Sequence, residues 1–384
     1  MLYLILHYCV SSFNVETSLN QFKGSDMLGE NSVLYNETEF TQQICSHKNN
    51  FSYILDTCIE YIEKEPEEKL QNTNPDLRKP ICGDNFKTRT NSVWIVDIFL
   101  FGYELDTLLI RLYELNLVVD KFVIIESECS HKGVKKESMF NRNKHLFQSF
   151  LYKIIHIIAP CLDDTNNSNM FRHENHQQKY GIEAFKNKWD KNQTNTLVIF
   201  GHTDEIPSAQ NIQIMRYCEP NQYPVDIGIW FPMGKLNRAF QSDFPVNNYK
   251  YTLGDPTIHL LSSYKIDLGR GGSPVYLLGG IHLSNYAFPP NHLIKEFTAT
   301  EMEYNNYEVT KSIELLCTHS VHQLFYNYSE LNNNLNWKKR VISLDKLYKI
   351  DNVYKTVVYI PNVIKNNKKR FSSWFGQLDP RLNV

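Results

Sequence analysis

From residue 93 onward, short continuous apolar runs alternate with stretches whose apolar residues recur every three or four positions. Residues 93–101 (VWIVDIFLF) form a run of strand length, rich in β-branched and aromatic side chains. In residues 103–116, Leu105, Leu108, Leu109, Leu112 and Leu115 form the stripe of a helix lying on a sheet. Residues 117–126 (LVVDKFVIIE) form a second apolar run, as in a parallel strand buried on both faces. Strand, helix and strand in this order make a βαβ unit. The alternation continues with a strand at 153–159, a polar helix at about 174–191, a strand at 196–200 and a helix at 208–218 opened by Pro207. Further strands are expected at 227–233, 258–263, 275–278 and 355–360, and helices at 290–302 and 310–328. The pattern predicts an α/β domain with a mostly parallel central sheet.

Outside that region the pattern weakens. Residues 11–88 are polar, with a charged stretch at 63–68 followed by Asn72, Asn74, Pro75 and Pro80, so residues 1–88 read as an N-terminal segment and stem. The organised domain spans 89–360, and 361–384 reads as a solvated tail carrying Lys365, Lys368, Lys369 and Arg370. The apolar start, residues 1–10, is shorter than the ~20 residues that span a bilayer. It reads equally as a signal remnant, a truncated anchor or a buried strand, so a membrane enters only through a possible N-terminal anchor.

Charge narrows the partners. The 384 residues carry a formal net charge of −2, so no long-range field recruits nucleic acid. The eight cysteines contain no C-x-x-C pair, which disfavours a zinc ribbon or thioredoxin-type site. Cys45, Cys58 and Cys82 cluster in the polar segment, where disulfides would help in an oxidising compartment, although spacing does not fix the pairing. Sequons at Asn36, Asn50, Asn166, Asn192 and Asn327 permit a luminal location without indicating one. No G-x-S-x-G elbow occurs, and Gly269, Gly271 and Gly272 lack the strand-to-helix context of a dinucleotide fingerprint. His319 with His322, and His173 with His176, lack a carboxylate partner in the sequence pattern and read as structural histidines.

Ligands of open α/β sheets bind beyond the carboxyl ends of the strands, and acids placed there are the candidates for a site. Glu126 ends the second strand, Glu104 and Asp106 follow the first, and Asp204 with Glu205 follow residues 196–200. Such a pair can hold Mg²⁺ or Mn²⁺ bridging a diphosphate, or can simply stabilise the start of the next helix. Glu104 and Asp106 have the same helix-stabilising alternative, whereas Glu126 directly after Val-Ile-Ile would need a partner or water if buried.

Residues 97–140 resemble the opening block of glycosyltransferase family 17, which includes the enzyme that adds the bisecting N-acetylglucosamine. The matching positions are Phe101, Glu104, Asp106, Leu108, Arg111, Glu114 and Leu115, then Val119, Asp120, Phe122, Val123, Ile124, Glu126, Ser127 and Gly133. Asp204-Glu205-Ile206-Pro207 and Gly280-Ile281-His282-Leu283-Ser284 resemble two later family segments in the same order. The resemblance covers about residues 93–304. Two positions depart from the family pattern. His202 stands where an Asp-x-Asp element has its first acid, and Ile281 stands where a tryptophan could give a sugar or base a stacking platform.

The resemblance implies a GT-A-like, Rossmann-type nucleotide-sugar-binding domain. It implies inverting transfer of N-acetylglucosamine from UDP-GlcNAc to the core β-mannose of N-glycans on glycoproteins. The location would be the Golgi or another secretory-pathway lumen. It places Asp204, Glu205 and Glu126 in catalysis, without choosing the base, and Glu104, Asp106 and Arg111 around the donor. His282 is assigned to acceptor or phosphate, and Asp204 with His202 to Mn²⁺ (or Mg²⁺). The His202 and Ile281 departures leave a weakened paralogue that binds without transferring, or a transferase of other sugars, as alternatives.

Overall fold

A computed structural model describes residues 37–64, 77–162, 171–189, 195–232, 236–263, 272–284, 289–298, 306–318 and 341–368, together with Leu70, residues 74–75, Arg370, Phe371 and Trp374. The first ten residues, the sequons at Asn36, Asn166, Asn192 and Asn327, Gly269, Gly271, His319 and His322 lie outside the described residues.

Two helices come first, α1 (Glu37–Ser46) and α2 (Phe51–Lys64). Phe40 with Ile44, and Ile54 with Cys58 and Ile62, recur at four-residue spacing and are buried in the main core. Residues 37–64 therefore pack with the domain rather than projecting from it as a stem. The apolar stripe was hidden within a polar composition.

After β1 (Phe86–Thr88), the expected βαβ unit is present as β2 (Trp94–Phe101), α3 (Leu105–Leu115) and β3 (Lys121–Ser127). Next come α4 (Met139–Arg142), β4 (Ile154–Ala159), α5 (Arg172–Lys188), β5 (Thr196–His202), β6 (Glu205–Pro207) and α6 (Ala209–Tyr217). The chain continues through β7 (Cys218–Pro220), β8 (Val225–Trp230), β9 (Arg238–Phe240), β10 (Thr252–Leu253), β11 (Thr257–Leu260) and β12 (Tyr276–His282).

Among the described residues nine strands form one sheet, ordered β4-β3-β2-β5-β11-β8-β12-β6, with β10 beside β8. β4, β3, β2 and β5 are mutually parallel, and β12 is parallel to β8. Because β11 runs antiparallel to both β5 and β8, the two parallel groups share one direction. The carboxyl ends of β2, β3, β5, β8 and β12 therefore lie along one edge.

Side chains alternate across this sheet, and both faces are apolar. Val96, Ile98, Leu100, Val123, Ile125, Val198 and Phe200 pack with Ile182 and Phe185 of α5. Ile95, Phe99, Phe122, Ile124, Leu197 and Ile199 belong to the cluster that holds Leu105, Leu108 and Leu112 of α3.

Helices α7 (Pro289–Thr298) and α8 (Asn306–Thr318) lie against the N-terminal pair, α7 on α2 and α8 on α1. Cys45 of α1 and Cys317 of α8 are disulfide-bonded, as are Cys82 with Cys218 and Cys129 with Cys161. Cys58 is a buried free thiol.

The chain then forms β13 (Val341–Ser343), α9 (Leu344–Ile350), α10 (Tyr354–Val357) and α11 (Asn362–Asn366). The strand expected at 355–360 is thus mostly α10 and its exit. Tyr354 and Val357, one helical turn apart, are its buried residues, and so short an apolar run does not distinguish helix from strand. The tail reading is also corrected at residues 361–368, Arg370, Phe371 and Trp374. Phe371 and Trp374 are buried, and Arg370 is ion-paired with Asp106.

Candidate active site

The turn after β5 presents the candidate chemistry, and its backbone is fixed from beneath. Arg111, fully buried on α3, grips Asp97 of β2 with two bonds, Nε to Oδ2 at 2.8 Å and Nη2 to Oδ1 at 2.6 Å. Its Nη1 donates to the carbonyls of His202 at 2.8 Å and Glu205 at 2.7 Å. Buried charges persist only when paired and fully hydrogen-bonded, which this arrangement achieves. The Thr203 amide donates to the Leu100 carbonyl and the Leu283 amide to the Asp204 carbonyl, so the turn is tied to both β2 and the end of β12.

Glu205 closes the turn from within, its Oε2 accepting from the His202 amide at 2.7 Å. A Cβ at Gly201 would meet that same oxygen at 2.7 Å and Pro256 Cβ at 2.9 Å, so glycine is needed there. The β6–β12 pairing sets Glu205 opposite His282. Gly280 has φ +149°, and a Cβ there would meet the Ile206 carbonyl at 2.6 Å, which restricts this close approach to glycine.

His202 and Asp204 project from this braced turn. His202 Nε2 lies 3.2 Å from Glu174 Oε1 on α5, and Glu174 Oε2 lies 3.5 Å from His131 Nδ1. Asp204 Oδ2 lies 3.4 Å from both His282 Nε2 and Lys295 Nζ of α7. Lys295 also bonds Ser284 Oγ. Burial pushes the Asp204 carboxyl up, but Lys295, His282 and His202 outweigh it and hold the group well below the usual carboxylate range. The His282 ring lies against Phe231, with centroids 4.5 Å apart, and its Nδ1 has no hydrogen-bond partner among the described residues.

Glu126 lies on the same edge, two strands from β5, roughly 10 Å away by strand spacing. Its carboxylate has no exposure and accepts from Lys136 Nζ at 2.7 Å, the Met139 amide at 2.7 Å, Ser138 Oγ at 2.5 Å and His156 Nε2 at 3.1 Å. Burial raises its pKa, but the bonds from His156, Lys136 and Ser138 more than compensate and lower it. The partner this acid needed is thus present, and it anchors the start of α4.

The remaining sequence candidates each have a partner in the fold. Glu104 accepts from the amides of Gly102 and Tyr103 at 3.2 and 3.0 Å, folding the turn after β2. Asp106, buried, is occupied by Arg370, and Arg111 by Asp97, so the structure does not bring these two to the crevice where the donor was expected. Ile281 is fully buried and pairs with Ile206 and Trp230 in the sheet. A side chain at this position fills the core, so the loss of a stacking platform inferred from it is corrected.

Glu174, Lys295 and His131 were not singled out by the sequence, and Ser284 entered only as the last position of a family-like segment. Glu174 and Lys295 sit on helices whose polar faces carry no distinguishing pattern. Asp97 did leave a signal, since an acid inside VWIVDIFLF requires a buried cation. A shallow depression lined by Arg89, Asn91, Ser92, Asn195 and Glu219 lies at the opposite, amino-terminal edge of the strands.

Mn²⁺ prefers several hard anionic oxygens. Here Asp204 is faced by Lys295 and His282, and His202 is turned to Glu174. Among the described residues no three His, Cys, Asp or Glu side chains gather to hold a metal ion. The donor set described does not fit a resident Mn²⁺.

No curated protein sequence matches the chain. The family model described as glycosyltransferase family 17 matches residues 33–372, nearly the whole chain and including every element that builds the turn, the crevice edge and the helices behind them. The chain belongs to glycosyltransferase family 17, the bisecting N-acetylglucosaminyltransferase family.

Proposed function

We propose that this glycosyltransferase takes N-acetylglucosamine from UDP-GlcNAc and places it, with inversion, on the core β-mannose of an N-glycan, in a GT-A manner. The observation that carries the reading is the convergence of His202, Asp204, His282 and Lys295 beyond the carboxyl edge of the parallel strands, where open α/β sheets bind their ligands. Cationic groups there would stabilise the charge developing on the departing diphosphate. A carboxylate would take the proton of the attacking acceptor hydroxyl. Asp204, held strongly ionised, suits an electrostatic role better than proton uptake. Glu174, partly exposed beside His202, is the carboxylate to test as base. Glu126 and Glu205 act as positioning residues in this reading, since their carboxylates hold α4 and the turn.

The three disulfides among the described residues favour an oxidising compartment and support a secretory-pathway lumen, with the Golgi as the first candidate. No described helix is long and apolar enough to cross a membrane.

The test is incubation of the folded protein with a panel of UDP-sugars and defined N-glycans, with and without Mn²⁺, followed by mass and linkage analysis. A β-1,4-linked GlcNAc on the core mannose supports the reading, and transfer of another sugar or to another position corrects the substrate. A second reading, a paralogue that binds nucleotide sugar without transferring it, is favoured by His202, whose ring is engaged by Glu174. Binding without product under every condition would establish it.

A further inference from the structure

We propose that Asn50 is an N-glycosylation site of this chain, its side-chain nitrogen carrying an oligosaccharide at the head of α2. The inference rests on the secretory-pathway reading above and adds a covalent modification to it.

The sequon Asn50-Phe51-Ser52 lies among the described residues. Asn50 ends the turn between α1 and α2, and residues 46–50 together with Ser52 are exposed. Fully buried side chains flank the turn at Ile44 and Ile54, so a bulky glycan on it displaces nothing from the core. The turn itself is held in place. The Asn50 amide donates to the His47 carbonyl at 2.8 Å, the His47 ring stacks on Tyr53 with centroids 3.8 Å apart, and Cys45 is bonded to Cys317.

Asn50 is also the N-cap of α2. The Tyr53 amide donates to its Oδ1 at 3.2 Å and the Ile54 amide to its carbonyl at 3.1 Å. An amide N–H can only donate, so the side-chain atom facing Tyr53 is the oxygen, and the cap makes no use of Nδ2. Glycosylation forms a bond from Nδ2 to the anomeric carbon of a lipid-diphosphate-linked oligosaccharide and breaks that carbon's bond to the diphosphate oxygen. The lipid diphosphate leaves, and Nδ2 gives up a proton. Oδ1 is untouched by this step and continues to cap the helix.

The order of the chain keeps the sequon open during synthesis. α2 packs on α7 and α1 on α8, and Cys317 follows Cys45 by 272 residues. The surfaces that bury α1 and α2 are therefore made late in translation. Until then α2, with 14 residues, is in the range of ~12–15 residues where an isolated helix is marginal in water. A transferring enzyme can then bind the sequon in extended form, before packing closes around its flanks.

The experiment is translation of the whole chain into sealed secretory-pathway microsomes and digestion of the outside with protease. Peptide:N-glycosidase in heavy-oxygen water and peptide mass analysis follow. The expected result is a protected chain in which position 50 is read as Asp carrying heavy oxygen. Asn50→Asp keeps a capping oxygen but lacks the nitrogen, and Ser52→Ala keeps Asn50 but breaks the sequon, so each should migrate one glycan lighter than the parent. A protected chain unmodified at Asn50, or variants that carry as many glycans as the parent, overturns the proposal and leaves the secretory-pathway reading intact. A chain neither protected nor modified overturns both. The heavy-oxygen label on the parent decides the point even if a variant does not fold.

Discussion

Glu126 and Asp204 stand on the same edge of the same sheet, yet they have opposite surroundings. Glu126 is enclosed by a lysine, a serine, a histidine and backbone amides at 2.5–3.4 Å. Asp204 Oδ2 meets Lys295 Nζ and His282 Nε2 at 3.4 Å, and Lys295 remains partly exposed. A carboxylate whose lone pairs are all filled by the fold is a structural anchor. One held ionised at the carboxyl edge, where open α/β sheets bind ligands, is placed for chemistry. Glu114 completes the contrast, since burial dominates there and lifts its carboxyl to about 7 against the bonds from the Ala209 amide and Tyr359 hydroxyl.

The comparison breaks most visibly at Arg111. Arg111→Met should cost about 3–5 kcal/mol in denaturant unfolding, because Asp97 is left charged and buried while the turn carbonyls lose their donor. A loss below about 1 kcal/mol would show that the braced turn does not depend on this residue.

Glu114 gives the next largest effect, through pH. Its folded pKa of about 7 lies above the ordinary 4.5, so its contribution to stability is complete below about 4.5 and is lost as pH rises to about 7. The loss should be on the order of 3 kcal/mol, and Glu114→Gln should flatten unfolding free energy over that window.

Glu126→Gln should cost roughly 2–3 kcal/mol by leaving Lys136 buried without its anion. The sign of its pH dependence is opposite to that of Glu114. The lowered Glu126 pKa gives stability that is present above its ordinary value of 4.5 and lost as pH falls through the folded value. Urea unfolding of parent and variant from neutral to acid pH measures both quantities, and a variant as acid-sensitive as the parent would remove Glu126 as the anchor.

Asp204→Asn should still fold while lowering transfer about 10²-fold. Because the Asp204 carboxyl is held well below the usual range, the variant should lose stability at neutral pH that the parent loses only as pH falls. Melting curves and turnover on the same preparations check the pair of outcomes. Full turnover by the folded variant would remove Asp204 from the chemistry, and collapse of the fold would make it an anchor like Glu126.

The sequence by itself determined the βαβ unit, the α/β class and the edge where candidate acids gather, because residue period and run length report burial locally. It also marked Asp204, Glu205 and Glu126 as carboxylates at strand ends. Only the tertiary structure decided what each acid does, because a carboxylate's partners come from distant segments. Asp106 meets Arg370 from 264 residues away, and Asp204 meets Lys295 from 91 residues away. Glu126 is satisfied from 10 to 30 residues downstream. The same long-range packing drew α1, α2 and the segment through Trp374 into the core, where composition had suggested a stem and a solvated tail. Local pattern fixes which surface an element buries, whereas the closing of loops over hundreds of residues fixes which charge is neutralised and which stays within reach of a ligand.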